Sequence, residues 1–337
     1  MVSLKEHNTF GIEAGCKRFV EYATADELAS VLREMRGEEP TPVFHIGAGS
    51  NLVFTADFPG TILHSAIKTC EIVEETPDGH VLLRVGSGYV WDELVQWTLS
   101  NGLYGLENLS LIPGEVGASA VQNVGAYGKE AGQFIVRVEA LAAADGSLRP
   151  FTHDECHYAY RSSVFKHSLR GQYYITHVTY RLSRHFTPDL SYRALSGEVA
   201  RRALDPAQLS ASDVRNLVCE LRRSKLPEPC EVGSAGSFFM NPVVPAEKTQ
   251  ALAKAYPDMP HFDAEGGVKI PAAWLIEQAG WKGKRLGQAG VWPKQALVLV
   301  NYGGATGQDI LSLSQQIQAD VRAQFGIALH PEAIFVP

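Results

Sequence analysis

The sequence predicts an α+β protein in which strands and helices intermingle without regular βαβ alternation. Short β-rich runs at 43–46, 81–85, 136–143, 172–182 and 296–301 are interspersed with amphipathic helical patterns. The 337 residues, 45% hydrophobic and 20% charged, suffice for two or three domains with cores of their own. The turn Gly47-Ala48-Gly49 follows a strand, but Leu52 stands where a dinucleotide fingerprint needs its third glycine, and no helical pattern follows.

The elements follow in order. Thr24 and Glu27 read as a capping box opening a helix with Leu28, Val31, Leu32 and Met35 on one face, closed by Gly37. Residues 42–46 form a strand leading into 47–51. A strand at 81–85 and a turn at 86–88 precede a helix carrying Trp91, Leu94, Val95, Thr98 and Leu99, stopped by Gly102. Residues 111–128 read as a long loop, because Gly114, Gly117, Gly125 and Gly128 punctuate small and polar residues. Two extended stretches follow, then a polar loop region over 183–212. Helices are expected at 213–223, 246–255 and 272–279. Thr306 caps a last helix with Ile310, Leu313, Ile317, Val321 and Phe325 inward, and 333–336 form a final strand.

Composition narrows the function classes. A net charge of -7 with only short basic clusters, such as Arg201-Arg202, argues against a nucleic-acid partner. The five cysteines are odd in number, widely spaced and never in CxxC form, which argues against a disulfide framework or a zinc site. The first residues lack an apolar signal core, and no apolar run approaches a membrane span. A soluble cytoplasmic enzyme with neither metal nor membrane partner is expected.

Five segments are candidates for chemistry. Gly47, Ala48, Gly49, Ser50 and Asn51 form a turn whose backbone N–H groups can cradle phosphate, although a glycine-rich hairpin alone would look the same. The run from Ile112 to Gly128 lets a large planar cofactor lie against main chain. Arg161, after Tyr158, Ala159 and Tyr160, suits a guanidinium gripping a carboxylate or phosphate, or equally a structural ion pair. Ser237, after Gly233-Ser234-Ala235-Gly236 and before Phe238-Phe239, offers a hydroxyl in an apolar setting without the frame of a hydrolase nucleophile. Glu332, between Pro331 and the terminal strand, is a candidate acid, base or orienting carboxylate.

In this order and at these distances, the five segments resemble the UDP-N-acetylenolpyruvoylglucosamine reductases, from Asn8-Thr9-Phe10-Gly11 to the Pro331-Glu332 tail. The segment around Tyr192 resembles the longer, type I subgroup. The resemblance implies a two-lobed FAD-binding module of the vanillyl-alcohol-oxidase (PCMH) type over 15–184. A C-terminal α+β substrate domain over 213–330 and a tail strand at 331–337 complete the implied chain. It implies FAD held non-covalently, NADPH as co-substrate, UDP-N-acetylglucosamine enolpyruvate as substrate, and a monomer.

By the same resemblance, 47–51 hold the FAD phosphates, and the isoalloxazine lies against Pro113, Gly114, Gly117, Gly125, Ala126 and Tyr127. Arg161 holds the enolpyruvyl carboxylate, Ser237 is the proton donor, and Glu332 is the carboxylate beside it. Tyr160, Tyr192, Lys225, Asn241 and Gln295 contact the UDP-sugar. Hydride comes from flavin N5 and the proton from Ser237. The chain departs from the family pattern at Ala118 and Ala120, where serine and proline are more usual, and at Met240, where lysine is frequent. These departures bear on flavin and nucleotide contacts.

Overall fold

The structure is a computed structural model that describes residues 1–37, 39–228 and 230–337. It divides into two compact units, one of Lys17–Ala48 and Pro59–Arg222, the other of Met1–Cys16, Gly49–Phe58 and Arg223–Pro337.

The first unit is built on two sheets. In one, the strands Gly15–Tyr22, Phe58–Ser65 and Val43–Ile46 lie in that order, the last pair parallel. The helix Ala25–Arg36 buries Leu28 and Leu32 against Tyr22, Leu63 and Ile67. Thr24 caps it by accepting from the Glu27 N–H, while the Glu27 carboxylate accepts from the Ala23 N–H instead of closing the expected box. The other sheet is antiparallel, in the order Leu148–Thr152, Ile135–Ala142, Tyr173–Ser183, His80–Gly86, Cys70–Glu75. Period-two alternation sends Val81, Leu83 and Val85 into the core with Trp91, Leu94 and Val116. On the opposite face Arg84 grips Glu139 through two hydrogen bonds, 2.7 and 3.1 Å.

Two elements correct the sequence reading. Within 111–128 the residues Val116–Gln122 form a short helix, because Ala118 and Ala120 favour helix and Val116 and Ala120 are buried. The helix is tied down by the Val116 N–H on the Tyr89 carbonyl and the Gly117 N–H on the Ser87 carbonyl. Within the expected loop at 183–212, the helix Arg193–Arg201 buries Leu195 and Val199 against Val214, Leu217 and Val218 of the helix Ala211–Lys225.

In the second unit the strands Gly233–Ser237, Val298–Asn301, Ala289–Val291 and Arg285–Leu286 form an antiparallel sheet. The nineteen-residue helix Gly307–Phe325 has a capping box of Thr306 and Asp309, ends at Gly326 in the left-handed region, and buries the five apolar residues expected of it. A second small sheet joins Val243–Val244, Gly267–Lys269 and Phe262–Ala264. The tail Ile334–Val336 pairs in parallel with Leu52–Phe54. Among the described residues no helix is long and apolar enough to cross a membrane, and no group of three or more His, Cys, Asp or Glu side chains could hold a metal ion.

Candidate active site

In the first unit, the strand Val43–Ile46 runs out at Gly47, whose backbone lies against the start of the helix Val116–Gln122. A Cβ at position 47 would sit 3.1 Å from Glu115 Oε2 and 3.3 Å from Ala118 Cβ. The predicted phosphate turn and the predicted flavin strip therefore meet here, with room for glycine and alanine and little more. Glu115 is held from behind by His64, whose ring nitrogens bond Glu115 and Glu21 at 3.0 Å each. Burial opposes charge on His64, but the two carboxylates outweigh it and raise its pKa.

The strip itself is locally strained. Of the six non-glycine residues at positive φ among those described, Leu111, Asn123, Tyr127 and Arg161 lie on or against it. Each costs on the order of 1–2 kcal/mol and persists because surrounding contacts impose it. Asn123 shows how. Its side chain donates to Glu130 Oε2 (2.8 Å) and the Ala159 carbonyl (2.9 Å), and accepts from the Gly132 N–H (2.8 Å). It thus fixes the turn that carries Arg161. The Arg161 guanidinium donates to the Gly125 carbonyl at 2.7 Å and lies 5.3 Å from the Tyr160 ring centre, and Lys166 donates to the Arg161 carbonyl at 2.8 Å. The structure brings Arg161, Tyr160 and Gly125 together.

The residues present fit a flavin dinucleotide. Gly114, Ala118, Val121, Val124, Gly125 and Ala126 stay partly exposed, a low apolar surface with accessible main chain. Ala120, by contrast, is fully buried, so its departure from proline alters the core and not the strip. Arg222, not singled out from the sequence, sets a largely buried cation at this surface. Its Nε donates to the Leu111 carbonyl at 3.1 Å, and burial lowers its pKa against the pull of Tyr127, Cys219 and Asp92. An arginine remains charged there, which suits an anionic ligand. In sequence, Arg222 was hidden in a basic cluster that reads as a solvated helix face. Tyr127 and Tyr192 stack edge to face at 5.3 Å. His45, on the strand that leads into the 47–51 turn, bonds the Tyr22 hydroxyl through Nε2 at 2.7 Å, and burial pushes its pKa down to about 4. A cleft of about 580 Å³ lined by His80, Tyr104, Phe134 and Arg181 contains none of the predicted residues.

In the second unit, Gly49 (φ 63) is packed so closely that a Cβ would come 2.0 Å from the His7 carbonyl oxygen. Ser50 follows it, half-buried. The Asn51 side chain donates to the Glu332 carbonyl (3.1 Å), and its own carbonyl accepts from the Ile334 N–H (2.9 Å). This turn therefore anchors the tail that carries Glu332. The tail returns to the Ser237 segment: the Glu332 N–H donates to the Phe238 carbonyl at 2.8 Å, Met240 N–H to His330 carbonyl at 2.9 Å, and Phe239 bridges Pro331. Ser237 and Glu332 end one register position apart.

The glycine-containing run before Ser237 forms a bulge at the end of Gly233–Ser237, with Gly236 at φ 65. Ser237 is exposed rather than sunk among apolar groups, and the burial falls on Phe238 and Phe239 behind it. Glu332 is half-buried. Asn241 accepts the Ala272 N–H at 2.9 Å, capping the helix Ala272–Gln278, and Gln295 accepts the Leu297 N–H at 3.3 Å. Lys225 is exposed at its helix end.

Residues 16–152 match the model of an FAD binding domain, and residues 228–336 that of the UDP-N-acetylenolpyruvoylglucosamine reductase C-terminal domain. A UDP-N-acetylenolpyruvoylglucosamine reductase of Bacteroides fragilis is 48% identical over 99% of this chain and 98% of its own. The chain belongs to the UDP-N-acetylenolpyruvoylglucosamine reductase family. The protein of that name from Porphyromonas gingivalis is 46% identical over 99% of this chain and 97% of its own. The crystal structure of the Thermus caldophilus reductase covers 100% of this chain at a TM-score of 0.67 and 24% identity, so this reductase shares that fold.

Proposed function

We propose that this reductase converts UDP-N-acetylglucosamine enolpyruvate to UDP-N-acetylmuramate with NADPH and FAD, a step of peptidoglycan precursor synthesis. The observation that carries the residue roles is the pairing of the 330–333 segment with the Ser237 segment, which sets an exposed hydroxyl and a half-buried carboxylate in adjacent register. Residues 15–184 serve as the FAD module, with the phosphates near Gly47, Ala48, Gly49, Ser50 and Asn51. Residues 213–330 and the tail 331–337 serve the substrate. The enzyme acts as a cytoplasmic monomer, with neither nucleic acid nor membrane as partner.

Bound FAD supplies the hydride that NADPH provides and the vinyl carbon accepts. The chain's own residues do the rest. Arg161 holds the enolpyruvyl carboxylate, and as a permanent cation it stabilises the negative charge that grows there when the double bond is reduced. Its guanidinium is already aimed by Gly125 and Tyr160, so little reorganisation is needed. Ser237 then gives its hydroxyl proton to the carbon next to that carboxylate. A weak acid suffices because the carbon is strongly basic. Glu332 stands beside this transfer and orients the carboxylate. Tyr160, Tyr192, Lys225, Asn241 and Gln295 bind the nucleotide-sugar.

The visible spectrum of the purified protein tests this reading. A yellow protein should be bleached by NADPH without oxygen and recoloured by UDP-N-acetylglucosamine enolpyruvate, with UDP-N-acetylmuramate formed. Bleaching without recolouring would refute the substrate.

A further inference from the structure

Within the first unit, the first turn of the helix Trp91–Ser100 grips the chain that opens the strip at 113–127. The Trp91 indole N–H donates to the Leu109 carbonyl at 2.9 Å, and the Trp91 main-chain N–H donates to the Gly114 carbonyl at 3.0 Å. Between these two points lies Leu111, at φ 58, a conformation that residues other than glycine rarely hold. It is held on both sides. The Leu111 N–H donates to Asp92 Oδ1 at 2.5 Å, and the Leu111 carbonyl accepts from Arg222 Nε at 3.1 Å. Arg215 in turn grips both oxygens of Asp92, at 2.7 and 2.8 Å, with 14% of the arginine and 19% of the aspartate side chain exposed. Arg215 and Arg222 are separated by about two turns of the helix Ala211–Lys225, so they project from the same face. Burial opposes charge on Asp92, but Arg215 and the Leu111 N–H outweigh it and lower its pKa.

We propose that Asp92 is a positioning residue for FAD: gripped by Arg215, it fixes the left-handed Leu111, which sets both the course of residues 112–114 and the aim of Arg222. The inference rests on the reading that the flavin lies against Pro113 to Tyr127. An aspartate in the first turn of a helix ordinarily serves the N–H groups and dipole of that helix. Here its strongest bonds go elsewhere, to a main-chain N–H nineteen residues on and to an arginine of another helix. A buried ion pair is weak ground for stability by itself, and fixing one element in register on another is the better-attested use of such a pair. A leucine at positive φ relaxes unless its surroundings impose that conformation. Without Asp92 the Leu111 N–H loses its acceptor, its peptide turns, and its carbonyl leaves Arg222. FAD must then order the strip as it binds, and that cost falls on flavin affinity.

The test starts from the FAD-loaded enzyme and follows flavin release on dilution by its fluorescence. Asp92→Ala should raise the dissociation constant of FAD about tenfold, the scale of one lost hydrogen bond to a charged group. A constant within about twofold of the parent overturns the inference. Leu111→Gly in the Asp92→Ala background distinguishes positioning from a general loss of stability, because glycine holds a positive φ without support. It should recover at least about threefold of the lost affinity, and recovery below about twofold overturns the positioning role. If Asp92→Ala does not fold, Arg215→Gln decides: a roughly threefold rise in the constant supports the inference and an unchanged constant overturns it. Ala118→Leu, which fills the space beside Gly47, tests the underlying reading of the strip. An unchanged constant there removes the strip as the flavin's bed and this inference with it. A raised constant there, beside an unchanged one in Asp92→Ala, removes the role of Asp92 alone.

Discussion

Replacing Ser237 by alanine removes one oxygen from an exposed position at the end of a bulged strand. The main-chain bonds that tie Phe238 to Glu332 and Met240 to His330 are untouched, and the Phe238–Phe239 packing behind stays in place. Stability should therefore change by no more than about 0.5 kcal/mol. Chemistry should change far more. A positioned general acid is worth ~10²–10⁴ in rate, or roughly 3–5 kcal/mol of barrier. Anaerobic stopped-flow spectroscopy separates the two half-reactions. NADPH should bleach the flavin of Ser237→Ala at the parent rate, and the enolpyruvyl substrate should then reoxidise it ~10²–10⁴ times more slowly. Reoxidation within about tenfold of the parent would refute the proton-donor role, and slowed bleaching would point to damage to the flavin site instead.

Acid should destabilise the fold through His45: burial holds its pKa at about 4 against an ordinary 6.5, so the folded state refuses a proton that the unfolded state takes. Stability is then intact above about pH 6.5 and declines by up to about 3 kcal/mol as pH falls toward 4. Denaturant melts at pH 7 and 4.5 should show this decline, and His45→Asn should flatten it; an unchanged slope would count against it. His64 has the opposite sign. Its raised pKa makes the link to Glu115 strongest below the ordinary histidine range and weaker as pH rises through the folded value, so Glu115→Gln should cost more at pH 6 than at pH 8.5. Gly49→Ala should cost at least about 2 kcal/mol, from the left-handed backbone alone, and more from the His7 carbonyl; a melting point within a degree of the parent would contradict this. Acid precipitation should leave the yellow colour in solution, because His45 is bonded to Tyr22 and is not available to a flavin; a yellow pellet would overturn that.

Much of the fold was legible because local patterns agree with burial. The helix Gly307–Phe325 carries its capping box, its five inward apolar residues and its closing glycine in plain order. The helix Arg193–Arg201 was not legible. Its apolar face is only Leu195 and Val199, too little to stand out from a polar stretch until the helix Ala211–Lys225 packs against it. Asn123 and Arg222 were hidden for a related reason: a polar residue in a loop or a basic cluster looks alike whether it faces water or satisfies backbone groups. Glu115 gave no signal either, since its partner His64 lies on a strand far away in sequence.

By itself, the sequence determined the α+β class, the family, and the residue types at positions 161, 237 and 332. Those depend on periodicity, turn chemistry and motif order, all properties of neighbouring residues. The tertiary structure alone decided which of them are held, and by what. Asn123 aims the turn of Arg161, the Asn51 amide and the Phe238 carbonyl fix the tail of Glu332, and Ser237 stands exposed rather than buried. These are long-range hydrogen bonds onto backbone groups that every residue carries, so the sequence gives no sign of the partner until the chain has folded.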